Sequence, residues 1–178
     1  GAAVSKTQKL VLALKSYSRK SAFEKPEVAS VVQNVETVLT IFHNQLKYSF
    51  EVTTNYEPNL PDIKCYPDEL NQVWTNIIHN AIQAMNGQGA MAVSINREGE
   101  YIVVRISDTG PGIPAHIVGR IFEPFFTTKG EGQGSGLGLD ICRKIILKHQ
   151  GKIDVDTEPG RTTFIVSLPV NLQVAGTA

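Results

Sequence analysis

The chain has 178 residues, 42% of them hydrophobic, with 17 basic and 17 acidic side chains. That apolar fraction is ordinary for a soluble domain with its own core, and the balanced charge speaks against a general nucleic-acid binder, which needs a basic surplus for phosphate. No apolar run approaches a membrane span and no secretory signal is visible, so the segment is expected to be cytoplasmic and itself without membrane contact, either free or as the cytoplasmic portion of a membrane-anchored protein.

Residues 5–23 read as a helix with Leu10, Val11, Leu14 and Tyr17 on one narrow face, which needs a partner to cover it. Its cations Lys15, Arg19, Lys20 and Lys25 form a solvated face. Pro26 breaks the helix by forcing extended geometry on Lys25. A second helix is predicted over 27–47, its apolar face marked by Val28, Val31, Val32, Val35, Val38, Leu39, Phe42 and Leu46. Alternation and Thr/aromatic content predict a strand over 50–56, followed by a loop over 57–62. A third helix runs over 67–85, with Pro67 at its first position and Asp68 and Glu69 at the positive end of its dipole. Strands follow over 91–96 and 101–107 around a turn at 97–100. The Gly-rich stretch 108–136 holds one short predicted helix at 115–121. A last long helix spans 137–150 with Gly151 as its cap, and strands 152–157 and 162–168 close the domain. Strands joined mostly by hairpins, with helices gathered on one face, make an α+β two-layer sandwich. The expected divisions are 1–25 as a dimerisation helix or linker, 26–170 as the main domain and 171–178 as a tail. Cys65 and Cys142 are too far apart in sequence to form a metal-ligand pair and read as reduced, partly buried thiols.

Four segments carry chemistry. In Asp108-Thr109-Gly110-Pro111-Gly112-Ile113, a carboxylate at a strand end can accept from the exocyclic amine of adenine, whereas guanine would present an unpaired carbonyl. The glycines let backbone approach a flat base; the same residues equally fit a turn that closes a strand. In Gly134-Ser135-Gly136-Leu137-Gly138-Leu139, free N–H groups ahead of a helix suit phosphate, although a Gly-rich turn alone is weakly specific. It is not the dinucleotide motif, because no parallel strands with a ribose-binding acid flank it. On the third helix, Gln72, Asn76, His79, Asn80 and Gln83 form an amide stripe free of charge, either a neutral surface or the lining of a cleft where an Asn carbonyl ligates Mg²⁺ beside phosphates. Phe122-Glu123-Pro124-Phe125-Phe126-Thr127-Thr128-Lys129 precedes a Gly-rich loop and suits a lid hinged on an apolar anchor, with Lys129 either neutralising a terminal phosphate or solvated.

In this order and spacing the segments resemble the asparagine, first glycine, phenylalanine and second glycine boxes of the sensor histidine kinase catalytic domain. That domain is grouped with the type II topoisomerase, mismatch-repair and heat-shock chaperone ATPases. The likeness covers about residues 27–169 and implies the Bergerat-type ATP-binding fold, a five-stranded mixed sheet with about three helices. It also implies ATP and Mg²⁺ as cofactors. Asp108 would bind the adenine amine, with Gly110 and Gly112 flanking the base and Ile113 beside them. Asn80 would ligate Mg²⁺ and Asn76 would lie near the phosphates. Gly134, Ser135, Gly136, Leu137, Gly138 and Leu139 would form lid and phosphate cradle, with Phe122, Thr128 and Lys129 on the lid's other side. Thr163 would reach adenine through water. Gln83 and Ala84 stand where many members carry Lys and an aromatic, a departure that resembles the nitrogen-regulation subgroup and throws phosphate charge onto Lys129.

Hydrolysing relatives hold a Glu at the position of Asn76, and an amide is no useful base, so ATP is expected to be bound and hydrolysed poorly. The resemblance implies phosphoryl transfer to a histidine followed by an acidic residue. None of His43, His79, His116 and His149 is so followed. The acceptor is therefore expected on a dimerisation domain of the same kinase, with a response regulator receiver domain as the further partner. The alternatives are a hydrolysing ATPase and a serine kinase of the anti-sigma type.

Overall fold

Sequence and backbone agree most closely where an apolar stripe is long. The computed structural model describes residues 25–126 and 138–172; the expected N-terminal helix over 5–23 lies outside them. The elements are β1 (Glu27–Ala29), α1 (Val31–Ile41), α2 (His43–Leu46), β2 (Phe50–Tyr56), β3 (Ile63–Cys65), α3 (Pro67–Ala84), β4 (Gly89–Glu98), β5 (Tyr101–Asp108), a 3₁₀ turn (Val118–Arg120), α4 (Gly138–Lys148), β6 (Lys152–Glu158) and β7 (Arg161–Pro169). A five-stranded sheet runs in the order β2-β4-β5-β7-β6. Only β2 and β4 are parallel in it; β4–β5, β5–β7 and β6–β7 pair antiparallel. The mixed sheet and α+β architecture are those expected.

Cross-strand register divides the sheet into two faces. Met91, Val93 and Ile95 on β4, Ile102, Val104 and Ile106 on β5, and Phe164, Val166 and Leu168 on β7 share the helix side and are buried. Against them pack Leu70, Val73, Trp74, Ile77 and Ile78 of α3, Val35 and Val38 of α1, and Ile145 and Ile146 of α4. Each such side chain contributes about 1.5–3 kcal/mol by leaving water. Trp74 donates through Nε1 to Asn34 Oδ1 at 2.6 Å, and Asn34 Nδ2 donates to Pro67 O at 3.1 Å, which pins α1 to α3.

The helix predicted over 27–47 is corrected at both ends. Ser30 is extended (φ −83°, ψ 123°) and its Oγ accepts from Gln33 N at 3.2 Å, so the helix starts only at Val31. The residues before it pair instead with Ile63–Cys65 as a two-stranded sheet. Val28, which continued the apolar stripe in sequence, is 72% exposed. Phe42 (φ −86°, ψ 0°) then divides α1 from α2. β3 has only three residues, too few for an alternation to be read. The short helix predicted at 115–121 is a turn and one 3₁₀ turn, held by Ile117 N to Pro114 O and Arg120 N to Ile117 O. The left-handed residue closing α4 is Gln150 (φ 59°) and not Gly151. Gln150 N donates to Leu147 O and Gly151 N to Ile146 O, the paired bonds of a Schellman ending.

Candidate functional site

Asp108 is the last residue of β5, 4% exposed on the helix side of the sheet. Met91 of β4 and Thr162 of β7 are its direct cross-strand partners. Among the described residues only one donor reaches its carboxyl, the N–H of Gly110 at 2.9 Å from Oδ1. Burial raises its pKa, and the Gly110 bond opposes that shift. A buried carboxylate with an acceptor oxygen to spare has the chemistry to receive an amine.

The loop after Asp108 is shaped by protein as much as by any ligand. A Cβ at Gly110 would meet Asp108 Oδ1 at 2.9 Å and Ala84 Cβ, at the end of α3, at 3.0 Å. Gly112 sits at φ 85°, and a side chain there would drive into the backbone carbonyl of Glu158. Ile113 N donates to Thr157 Oγ1 at 2.9 Å, and Gly160 N donates to Pro111 O at 3.3 Å. The turn of the β6–β7 hairpin is therefore one wall of this loop. Thr109 joins it to α3 and β4: its Oγ1 accepts from Ala90 N at 3.0 Å and donates to Met85 Sδ at 3.7 Å.

Asn76 and Asn80 lie one turn apart on α3, both half-buried. Asn76 is bonded at both ends: Gln72 Nε2 donates to its Oδ1 at 2.8 Å, and its Nδ2 donates to Gly138 O, at the start of α4, at 2.9 Å. Asn80 makes no hydrogen bond with another described residue, and its carbonyl has the chemistry of a hard-cation ligand. Gly138 and Leu139 form the first turn of α4, and Leu139 packs against the core. Thr128, Lys129, Gly134, Ser135, Gly136 and Leu137 lie outside the described residues.

The aromatic segment divides by role. Phe122 packs edge-on against Phe164 with centroids 6.4 Å apart, and Phe126 lies under the Arg120 guanidinium at 4.7 Å. Phe125 is 73% exposed at φ 64°.

Thr163 does not join Asp108. It pairs with Ser107, and its Oγ1 lies 2.6 Å from Ser107 Oγ and accepts from Arg161 Nη1 at 2.8 Å, all on the sheet face away from the helices. Residues opposite each other in a ladder share a face, so Thr162 is the threonine beside Asp108. Sequence reasoning singled out neither Thr162 nor Thr157, whose hydroxyls meet 2.9 Å apart on the Asp108 face; the signal for both is strand parity, legible only once the pairing of β5 with β7 is known.

Burial, largely by desolvation, pushes the thiols of Cys65 and Cys142 up, to about 11 and about 12. Both are free and buried, as inert structural cysteines are. No helix among the described residues is long and apolar enough to cross a membrane.

Residues 65–172 match the family of histidine kinase-, DNA gyrase B-, and HSP90-like ATPases. The sensory histidine kinase/phosphatase NtrB of Escherichia coli O157:H7 is 35% identical over 152 residues. That match takes in 79% of this chain but 43% of that protein, so the chain spans less than half of its relative's length. The solved catalytic domain of histidine kinase ThkA has 29% identity and a TM-score of 0.76, over 83% of this chain and 97% of that one. Histidine kinase ThkA in complex with the response regulator protein TrrA shares the fold at 24% identity and a TM-score of 0.77, over 94% of this chain and 48% of that one.

Proposed function

The chain belongs to the family of histidine kinase-, DNA gyrase B- and HSP90-like ATPases, and from that premise we propose that it is the catalytic domain of a sensor histidine kinase. It binds ATP with Mg²⁺ and donates the γ-phosphoryl group to a histidine on the dimerisation domain of the same kinase. The observation that carries this reading is Asp108, a buried carboxylate at a strand end whose only described partner is Gly110 N–H.

Asp108 accepts from the adenine amine, and Thr162, its cross-strand neighbour, supplies the adjoining hydroxyl in place of Thr163. Gly110, Gly112 and Ile113 hold the loop against which the base lies. Asn80 offers its carbonyl to Mg²⁺, which supplies charge for the phosphates when bound. Leu139 and Gly138 start the helix whose positive end faces phosphate, with Lys129, Thr128, Phe122 and residues 134–137 completing lid and cradle. In the transfer, an acceptor imidazole nitrogen bonds to the γ-phosphorus as the bridging oxygen leaves with ADP. The protein contributes positioning and charge. Asn76 acts as no base: it is an amide, and both ends of it are already bonded to Gln72 and Gly138. That engagement disfavours the hydrolysing alternative.

The likeness to ThkA, solved with a response regulator, supports a receiver domain as the partner that takes the phosphoryl group onward. The reading carries a cytoplasmic setting with it, since ATP as phosphoryl donor is held there. The test is incubation with γ-labelled ATP, Mg²⁺ and a separately supplied dimerisation domain bearing a His-acid pair. An acid-labile, alkali-stable phosphoprotein is expected, and none with Asp108→Asn. Acid-stable phosphoserine, or release of free phosphate at many turnovers per minute without acceptor, overturns the reading.

A further inference from the structure

We infer that Thr157, on a strand outside the four nucleotide motifs, is a positioning residue that sets adenine selectivity. This rests on the nucleotide reading above. The side chain of Thr157 points to the helix side of β6, where its Oγ1 meets groups from separate parts of the site. It accepts the N–H of Ile113, the last residue of the Asp108 loop, at 2.9 Å. It lies 2.9 Å from Thr162 Oγ1 and 3.2 Å from Arg161 O. Thr162 is the cross-strand partner of both Thr157 and Asp108. One hydroxyl thus ties the far end of the adenine loop to the hydroxyl standing beside the adenine-reading carboxylate.

The proton count shows why a hydroxyl is needed. Thr157 has one proton and several partners. When it donates to Arg161 O, Thr162 donates to Thr157 and keeps its own oxygen as an acceptor. When it donates to Thr162, that residue is free to donate elsewhere. In both arrangements Ile113 N–H keeps its acceptor, and Thr162 is oriented by Thr157 rather than left to rotate. A Val of the same shape keeps the β-branched packing and loses every one of these bonds. The loop stays attached at Pro111, where Gly160 N–H donates at 3.3 Å, so it loosens around Ile113 rather than detaching.

A structural role limited to the hairpin would lower binding of all nucleotides together. A positioning role changes the preference between them. The informative measurement is the ratio of affinities, by titration calorimetry on the full chain with Mg²⁺, for ATP and for inosine triphosphate, which has a carbonyl in place of the adenine amine. The unaltered chain is expected to favour ATP by on the order of 100-fold, since inosine triphosphate gives up a hydrogen bond to a charged group. Thr157→Val is expected to shrink the ratio about tenfold, the effect of about one lost hydrogen bond. Thr157→Ser, which keeps the hydroxyl, should restore it. An unchanged ratio in Thr157→Val overturns the inference. If that variant does not fold, the same ratio in Thr157→Ala decides it in the same way. Failure of the unaltered chain to bind ATP at all overturns the nucleotide reading instead, so the two outcomes are distinct.

Discussion

Helix α3 has buried ionisable groups at both ends, and the two ends use them in opposite ways. At the N-terminal end the ionisable groups have partners at close range, although Asn71 Oδ1 is buried there without a hydrogen bond to another described residue. His149 is 1% exposed; its Nε2 accepts from Tyr66 N at 3.0 Å and its Nδ1 donates to Ile145 O at 2.8 Å, which identifies a neutral ring. Glu69, 3% exposed, has Lys148 Nζ at 3.1 and 2.9 Å from its two oxygens, and the same ammonium lies 3.9 Å over the Tyr66 ring. At the C-terminal end Asp108 is as buried but has one described donor, and Asn80 has none. Burial does not separate a working site from a structural one. What differs is the kind of group left under-bonded: an amide oxygen of Asn71 at one end, and at the other a carboxylate with a single described donor, which has more bonding capacity to offer a ligand.

The largest effect should come from Asp108. Its folded-state pKa is raised, so its protonated form favours folding; that contribution is lost as pH rises through the folded value, and at neutral pH the ionised group costs stability. Asp108→Asn should therefore leave the nucleotide-free melting temperature unchanged or higher, while ATP affinity by calorimetry falls on the order of 100-fold. A fall in both would make the two ends of α3 alike.

His149→Ala should do the reverse. It leaves Tyr66 N–H without an acceptor and opens a cavity, for a loss of about 2–4 kcal/mol in urea unfolding followed by Trp74 fluorescence. The folded variant should bind ATP as before.

Acid should weaken the N-terminal end in the same sense. Burial lowers the His149 pKa below 6.5, so the unfolded chain binds the proton more readily. Stability due to the neutral ring is full above pH 6.5 and is lost as pH falls below it, with a slope of at most about 1.4 kcal/mol per pH unit. Glu69 and Lys148, the charged groups facing the ring, act in opposite directions on it, Glu69 raising and Lys148 lowering its pKa. The slope should vanish in His149→Gln when unfolding is repeated across pH 5 to 7.

The smallest expected change is Asn76→Asp. It removes the donor to Gly138 O and sets a carboxylate against a carbonyl, for about 1–2 kcal/mol of stability. Free phosphate release should stay slow, because an acid at 76 is shorter than the Glu of hydrolysing relatives. Rapid hydrolysis would show that this position alone divides the two chemistries.

The long amphipathic helix, the two hairpins and the buried end of β5 were legible because each is a local pattern. The 27–29 strand was not, since Val28 extends the stripe of α1 and its pairing partner is a three-residue strand 34 to 38 positions later in the register Glu27↔Cys65 to Ala29↔Ile63. The face of Thr163 was not legible either: it pairs with Ser107 and stands on the face opposite to that of Asp108, and in a strand one residue is the whole difference between faces.

The sequence by itself determined which groups could do chemistry: a carboxylate among glycines at a strand end, amides where charge is usual, no base at position 76. Those are properties of residue types at short spacing. Only the tertiary structure decided what surrounds them. It put Thr162 and not Thr163 beside Asp108, packed Gly112 on the β6–β7 turn, and bonded both nitrogens of His149 while giving Asp108 a single described donor. Such pairings join segments far apart in the chain, and no local pattern records them.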